Sequence, residues 1–323
     1  MSHEPNSCRI LVFGYGEVGY RCLEILLRRG ENVVGVFTHE DDLGENQWFR
    51  SVSLLAKRHS VPVWKAESLR DALEAIRGLA PDLIFSFYYR SLIPGETLAL
   101  ARLGAFNMHG SLLPKYRGRA PVNWAVLHGE TETGATLHYM VERADAGDIV
   151  DQERVEIGPE ETAFEVMAKV TEAACVVLER RLEELKVGRA PRIPQNHALA
   201  TKFGRRRPED GRIDWGRSAD EIVNLVRAVT RPFPGAFAET DAGRLYVWRA
   251  RLAKGSGPPG LVLRSEPLTV AAKSGAVELL EWSPGTDAGP WRPLAVGMQL
   301  GTLGTRRNPE GGSDVAERAD SRV

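Results

Sequence analysis

The chain has 323 residues, 43% hydrophobic and 26% charged, which suits a soluble protein with a sizeable core and, at this length, two domains. Lys plus Arg number 42 and Asp plus Glu 43, so a formal net charge of -1 gives no global pull toward nucleic acid or an acidic membrane surface. Cys8, Cys22 and Cys175 form no Cys-x-x-Cys pair, the start MSHEPNSC has no apolar leader, and no run approaches the roughly 18 apolar residues of a membrane span. Secreted, membrane-spanning and disulfide-rich classes are thereby set aside, and a reducing cytoplasm is the expected setting.

Short apolar runs alternate with amphipathic stretches over the first part of the chain. Cys8 to Phe13 (CRILVF) reads as a buried strand, Gly19 to Arg29 as a helix and Asn32 to Thr38 as a second strand. A helical pattern covers Leu54 to His59, VPVW at Val61 to Trp64 is a third strand, and Leu69 to Leu79 is helical. Asp82 to Phe87 and Ala105 to His109 are further strands. Such alternation predicts βαβ units and a parallel sheet. Ala135 to Val141 and Ile149 to Val155 then read as strands, and Thr162 to Leu185 as a long helix with a broad apolar face.

PRIPQ from Pro191 and FGRRRPEDG from Phe203 to Gly211 read as a linker. Beyond it, a helix over Asp220 to Val229 precedes short strands separated by Gly and Pro, at Gly235 to Glu239, Leu245 to Ala250, Leu261 to Leu263, Leu268 to Ala272 and Ala276 to Leu280. That pattern predicts a small barrel or sandwich. The polar tail after about Thr305 reads as disordered.

Two segments could carry a ligand. Gly14-x-Gly16-x-x-Gly19 follows a strand and opens a helix, with Glu40 and Asp41 further on, which is the context of a dinucleotide fingerprint. The competing reading is a glycine turn that lets strand and helix pack closely. No obvious hydride-transfer site follows it. The denser cluster runs from Ala105 to Val150. Asn107 and His109 sit at period-2 spacing at a strand end, so their side chains share a face, and strand ends of an open parallel sheet are where ligands bind. Asp145 follows a later strand in an Asp-Ala-Gly-Asp turn. An amide that donates to an oxyanion, an imidazole that moves a proton and a carboxylate that orients it would suit acyl or one-carbon transfer. The bland alternative is a hydrogen-bonded strand-end histidine and an acid that closes a turn. No His, Cys and Asp cluster has metal-ligand spacing.

Asn107-x-His109-Gly110-Ser111-Leu112-Leu113-Pro114, Tyr116-Arg117-Gly118 and Asp145-Ala146-Gly147-Asp148 together resemble the folate-dependent formyltransferase family. Phe85 to Ile93, His109 to Trp124, His128 to His138 and Phe203 to Gly211 are similar to its branch acting on UDP-4-amino-4-deoxy-L-arabinose, in bifunctional polymyxin-resistance proteins. The resemblance implies an α/β fold: a Rossmann-like, mostly parallel sheet in a formyltransferase domain over 1–203, a smaller β-rich, OB-like domain over 204–304, and a tail over 305–323. It implies a formyl donor, 10-formyltetrahydrofolate, with no nicotinamide and no metal. It casts His109 as catalytic, Asn107 as transition-state stabiliser and Asp145 as the group that raises the imidazole's basicity. Ser91, Leu92, Ile93 and Val141, Glu142, Arg143, Ala144 and Asp145 would contact the donor, and Arg119 the nucleotide sugar. It also implies a stand-alone formyltransferase, without the branch's dehydrogenase-decarboxylase domain.

Acceptors of the family differ in charge demand. The stretch His39 to Arg50 carries Glu40, Asp41, Asp42 and Glu45 against Arg50 alone, whereas a tRNA backbone asks for Lys and Arg. A nucleotide sugar is therefore the expected partner, not a nucleic acid; UDP-, dTDP- and GDP-amino sugars stay open, as does a homo-oligomer. His138 reads as a packed or paired strand histidine, and His128 as a helix-end residue facing solvent. Arg205, Arg206 and Arg207 read as solvated linker, with a diphosphate as the alternative. Trp248 and Trp282 read as filling for the smaller core.

Overall fold

Burial patterns show why the runs become strands and helices. A computed structural model of the chain describes residues 8–40, 48–65, 68–241, 243–285 and 293–301. Asp41, Asp42 and Glu45 of the acidic stretch, and the tail after Thr305, lie outside the described residues. The first strands are β1 (Ile10–Gly14), β2 (Val33–Phe37), β3 (Val63–Trp64), β4 (Leu83–Phe87) and β5 (Gly104–His109). Every residue of β1 and β4 is buried, as continuous apolar runs in a sheet covered on both faces must be. Helices α1 (Gly16–Arg28), α2 (Val52–Arg58), α3 (Leu73–Gly78) and the short α4 (Gly95–Leu98) alternate with them.

The two-residue strand β6 (Arg117–Gly118) and helix α5 (Pro121–Leu127) follow, then β7 (Glu132–Tyr139), β8 (Ile149–Glu156) and α6 (Ala163–Lys186). The sheet order is β3-β2-β1-β4-β5-β7-β8. Its first five strands run parallel, and β7 and β8 add antiparallel. Strand order reverses between β1 and β4, which opens the crevice at the strands' carboxyl ends where such sheets bind ligands. A capping box between Thr162 and Glu165 starts α6, and eleven of its residues are buried.

The remainder comprises β9 (Lys202–Phe203), α7 (Ala219–Val229) and β10 (Ala236–Thr240), β11 (Gly243–Ala253), β12 (Val262–Ser265), β13 (Leu268–Ala271) and β14 (Ala276–Pro284). The last five form an antiparallel sheet in the order β10-β11-β14-β13-β12. Asn123 in α5 donates to the buried Ala228 carbonyl in α7 at 2.8 Å, and Arg227 donates to the carbonyls of Gly158 and Glu161. Trp248 stacks on Tyr246, bonds Ser283 and lies beneath Arg231, which supports a packing part for this tryptophan, and Trp282 packs against the same core. Among the described residues, no helix is long and apolar enough to cross a membrane.

Two expectations need correction. The helix read over Leu69 to Leu79 forms only over Leu73–Gly78, where Ile76 is the one buried residue, so little packing supports a longer helix. The stretches read as linker are built into the fold. Ile193 exchanges both backbone hydrogen bonds with Ile149, and β9 pairs with β6. Backbone polar groups that become buried must find partners, and these find them in the sheet and in β6.

Candidate active site

A cleft of about 640 Å³ lies at the carboxyl ends of β1, β4 and β5. Tyr15 and Gly16, Tyr88 and Tyr89, and Asn107 and His109 enter it from the three strands, and Asp145 enters from the turn after β7. The antiparallel pairing of β7 on β5 places His138 directly opposite Asn107. Topology thus gathers four polar side chains from distant parts of the chain.

His109 is 6% exposed. Its Nε2 lies 2.8 Å from the Tyr116 carbonyl, which can only accept, so Nε2 carries a proton. Nδ1 then faces Asp145 Oδ1 at 3.6 Å. His138 Nδ1 donates to the Tyr139 carbonyl at 2.9 Å, which leaves Nε2 as an acceptor for Asn107 Nδ2 at 3.0 Å. The second Asn107 Nδ2 hydrogen points to Asp145 Oδ1 at 3.4 Å, a weak contact. Asp145 Oδ2 accepts the Gly118 N–H at 2.8 Å. Burial works against the charged carboxyl, but a protonated His109 and the Gly118 N–H draw the other way, and the carboxyl is held well below the usual carboxylate range. The product is a fixed carboxylate beside an imidazole whose Nδ1 can carry a second proton.

The backbone around this centre is forced. Tyr88, Tyr116, Ala120 and Asp145 all have φ between 50° and 59°, a left-handed conformation that costs a residue with a Cβ roughly 1–2 kcal/mol. A Cβ on Gly110 would run into the Tyr88 hydroxyl, and one on Gly147 would overlap the Tyr139 carbonyl. Strain of this kind persists only where packing overdetermines it, and it gathers at functional sites.

The residues expected to meet a donor are placed together. Ser91, Leu92, Ile93, Val141, Glu142, Ala144 and Asp145 line the cleft; Arg143 is exposed and is not among the lining residues. Leu92 is 78% exposed and Val141 47%, so the mouth offers apolar surface to a flat ligand. Arg119 also lines the cleft, its Nη2 donating to the Arg90 carbonyl. Among the described residues, no group of three His, Cys, Asp or Glu side chains could hold a metal ion.

The glycine fingerprint has another use. Gly16 takes φ 66°, and a Cβ on Gly19 would sit 3.1 Å from Gly14 C and from the Phe87 carbonyl, so Gly19 lets α1 close on β1 and β4. Glu17 sits in the first turn of α1 and is held by Arg50, whose backbone N and Nε bond its carboxylate. The first turn of α1 is thus occupied by an ion pair of the chain's own side chains.

Sequence reasoning undervalued four contributors. His138 needed the β5–β7 register to be seen, since only pairing sets it beside Asn107. Lys202, which no reading singled out, and Phe203 and Gly204, read as linker, line the cleft. Phe203 stacks between Tyr116 and Trp124, and Arg206 lies over Trp124. His128 is exposed and ends α5, as read.

The geometry agrees with what the chain resembles as a whole. The model of the family described as "Formyl transferase" matches residues 8–182, and that described as "Formyl transferase, C-terminal domain" matches residues 205–289. Among solved structures, WlaRD, a sugar 3N-formyl transferase in the presence of dTDP and 5-N-formyl-THF, is 18% identical over 84% of this chain and 96% of its own, with a TM-score of 0.67. An N-formyltransferase from Helicobacter canadensis, in complex with folinic acid and dTDP-3-aminofucose, is 20% identical over 84% and 98%, with a TM-score of 0.67. A 4-N formyltransferase from Francisella tularensis is 20% identical over 73% and 94%, with a TM-score of 0.61. With the first of these matches spanning both the strands that build the cleft and the turn that closes it, the chain belongs to the formyl transferase family of enzymes.

Proposed function

We propose that this enzyme transfers a formyl group from 10-formyltetrahydrofolate to the amine of a nucleotide-linked amino sugar. The observation that carries the reading is the Asn107, His109 and Asp145 centre at the floor of a cleft with an apolar mouth. Formyl transfer makes a bond from the amine nitrogen to the formyl carbon and breaks that carbon's bond to the donor nitrogen. One proton must travel from the amine to the departing nitrogen, and negative charge builds on the formyl oxygen in between.

Each need has a residue. His109 keeps Nε2–H on the Tyr116 carbonyl, so Nδ1, facing Asp145, is the atom that takes up and returns the proton. Asp145 stabilises the ring while it is charged. Asn107 Nδ2 holds His138 Nε2 at 3.0 Å through one hydrogen, and its second hydrogen, on the looser 3.4 Å Nδ2 to Asp145 Oδ1 contact, is the one to turn toward the oxyanion. Leu92, Ile93 and Val141 would flank the donor's flat ring, and Arg119 and Lys202 supply cations for a diphosphate.

Sequence resemblance favours UDP-4-amino-4-deoxy-L-arabinose as acceptor, a step toward lipid A modification and polymyxin resistance. A dTDP-amino sugar is the second reading, supported by the dTDP ligands of two similar structures. The test is a mass-shift assay with 10-formyltetrahydrofolate and each nucleotide sugar in turn, with His109→Ala as control. A gain of one formyl group with one of them, lost in the variant, is the expected result. Formylation of methionyl-tRNA with no sugar modified would overturn the reading.

A further inference from the structure

Gln195 comes from the stretch read as a linker, yet it is 7% exposed and bonded through every polar side-chain atom. Its Nε2 donates to the carbonyls of Asp145 at 2.9 Å and Gly147 at 2.7 Å. Its Oε1 accepts from Arg117 Nε at 3.2 Å and Nη2 at 2.5 Å. We propose that Gln195 is a positioning residue: it ties the turn at 145–147 to Arg117 in β6 and so keeps the Asp145 carboxylate at His109.

The turn needs such a tie. Asp145 stands at φ 56°, disfavoured for a residue with a Cβ, and Gly147 is pressed against the Tyr139 carbonyl. Two carbonyls in this turn point toward the 195 side chain, so residue 195 must donate twice on one side. Arg117 on the other side requires an acceptor. Glutamine alone among the side chains offers an amide at that length; glutamate cannot donate and lysine cannot accept. The anchor is itself rigid, because Arg117 is 3% exposed and its Nη2 also meets His197 Nδ1 at 2.9 Å. Burial and the nearby Arg143 disfavour the Arg117 charge, and Asp145 is the anion that partly counters them. An uncharged side chain at 195 therefore leaves Asp145 as the acid serving both Arg117 and His109.

The donor-binding arm of the test rests on the proposed formyl transfer, while the exchange arm does not. The whole protein, with Gln195→Glu and Gln195→Ala, is followed by hydrogen-deuterium exchange and folinic acid titration. Loss of the two donated bonds is expected to speed exchange at Ala146, whose N–H bonds the Arg143 carbonyl, and to weaken folinic acid, each by about tenfold. Gln195→Glu keeps the acceptor for Arg117, so its melting temperature is expected within about 3 °C of wild type. Faster local exchange at an unchanged melting temperature is the signature of positioning. Wild-type exchange in both variants overturns the proposal, as does accelerated exchange across the whole chain with a fallen melting temperature. Should Gln195→Glu not fold, Gln195→Ala decides by the same local exchange. If wild type does not bind folinic acid, the donor assignment falls and exchange still decides the clamp.

Discussion

Two strand ends in this sheet carry ligand-binding motifs in the sequence, and the structure uses them differently. At the end of β1, Gly14, Gly16 and Gly19 are glycines because backbone must approach backbone, and Glu17 and Arg50 neutralise each other over the first turn of α1. At the end of β5, side chains hold one another at hydrogen-bond distance, and residues with a Cβ accept left-handed backbone. The first arrangement serves close packing while its backbone forms one wall of the cleft. The second leaves strain and a carboxylate inside a cleft, an arrangement that packing alone does not favour. The glycine motif here marks close backbone approach, whereas the polar cluster assembled from several elements marks the candidate site.

The sharpest way to break this contrast is at Asp145. Asp145→Asn keeps the shape but removes the charge facing His109, and kcat is expected to fall about a hundred- to a thousand-fold. Stability should also fall, by about 2 kcal/mol near neutral pH, if a carboxyl held below its ordinary value is replaced. The sign follows from that depressed value. The stabilisation is complete above the unfolded carboxyl's value of about 4 and is lost as pH falls through the folded one. Urea melts of wild type and Asp145→Asn should therefore converge on acidification; a constant gap across pH would deny the charge its part.

Gly19→Ala probes the other strand end. Its new Cβ would press on three backbone atoms, of Gly14 and Phe87, that cannot swing away, so a loss of about 1–3 kcal/mol is expected. The folded fraction should retain wild-type kcat. A kcat loss exceeding tenfold at full folding would mean that the β1 turn takes part in catalysis.

How much of this the residues revealed follows the range of the interactions. Strands β1 and β4 were legible because a fully buried strand needs a nearly continuous apolar run, β2 and β5 because most of their residues are apolar and buried, and α6 because its apolar face repeats over many turns. Asn107, His109 and Asp145 were legible as a cluster of reactive types at predicted strand ends. His138 was not, because its meaning depends on the antiparallel register of β7 on β5. Gln195 was not, because it lies in a polar, proline-flanked stretch and acts 50 residues away, on the Asp145 carbonyl. Long-range polar partners leave no periodic trace in a chain.

The smallest expected effect is the most informative about the β1 turn. Glu17→Gln removes the charge that Arg50 neutralises, but both side chains are partly solvated, so the pair contributes no more than about 1 kcal/mol. Glu17 lines the cleft wall, but the centre at His109 is built from other elements, so kcat should not change and the affinities for donor and acceptor should change little. If the turn instead waits for a phosphate, then removing this carboxylate would relieve repulsion at a helix N-terminus and tighten a nucleotide ligand several-fold. Titration of the variant with the nucleotide sugar and with the bare nucleotide separates these outcomes. An unchanged affinity for both leaves the turn to packing, and a tightened nucleotide would move the diphosphate from the Arg119 side of the cleft to the end of β1.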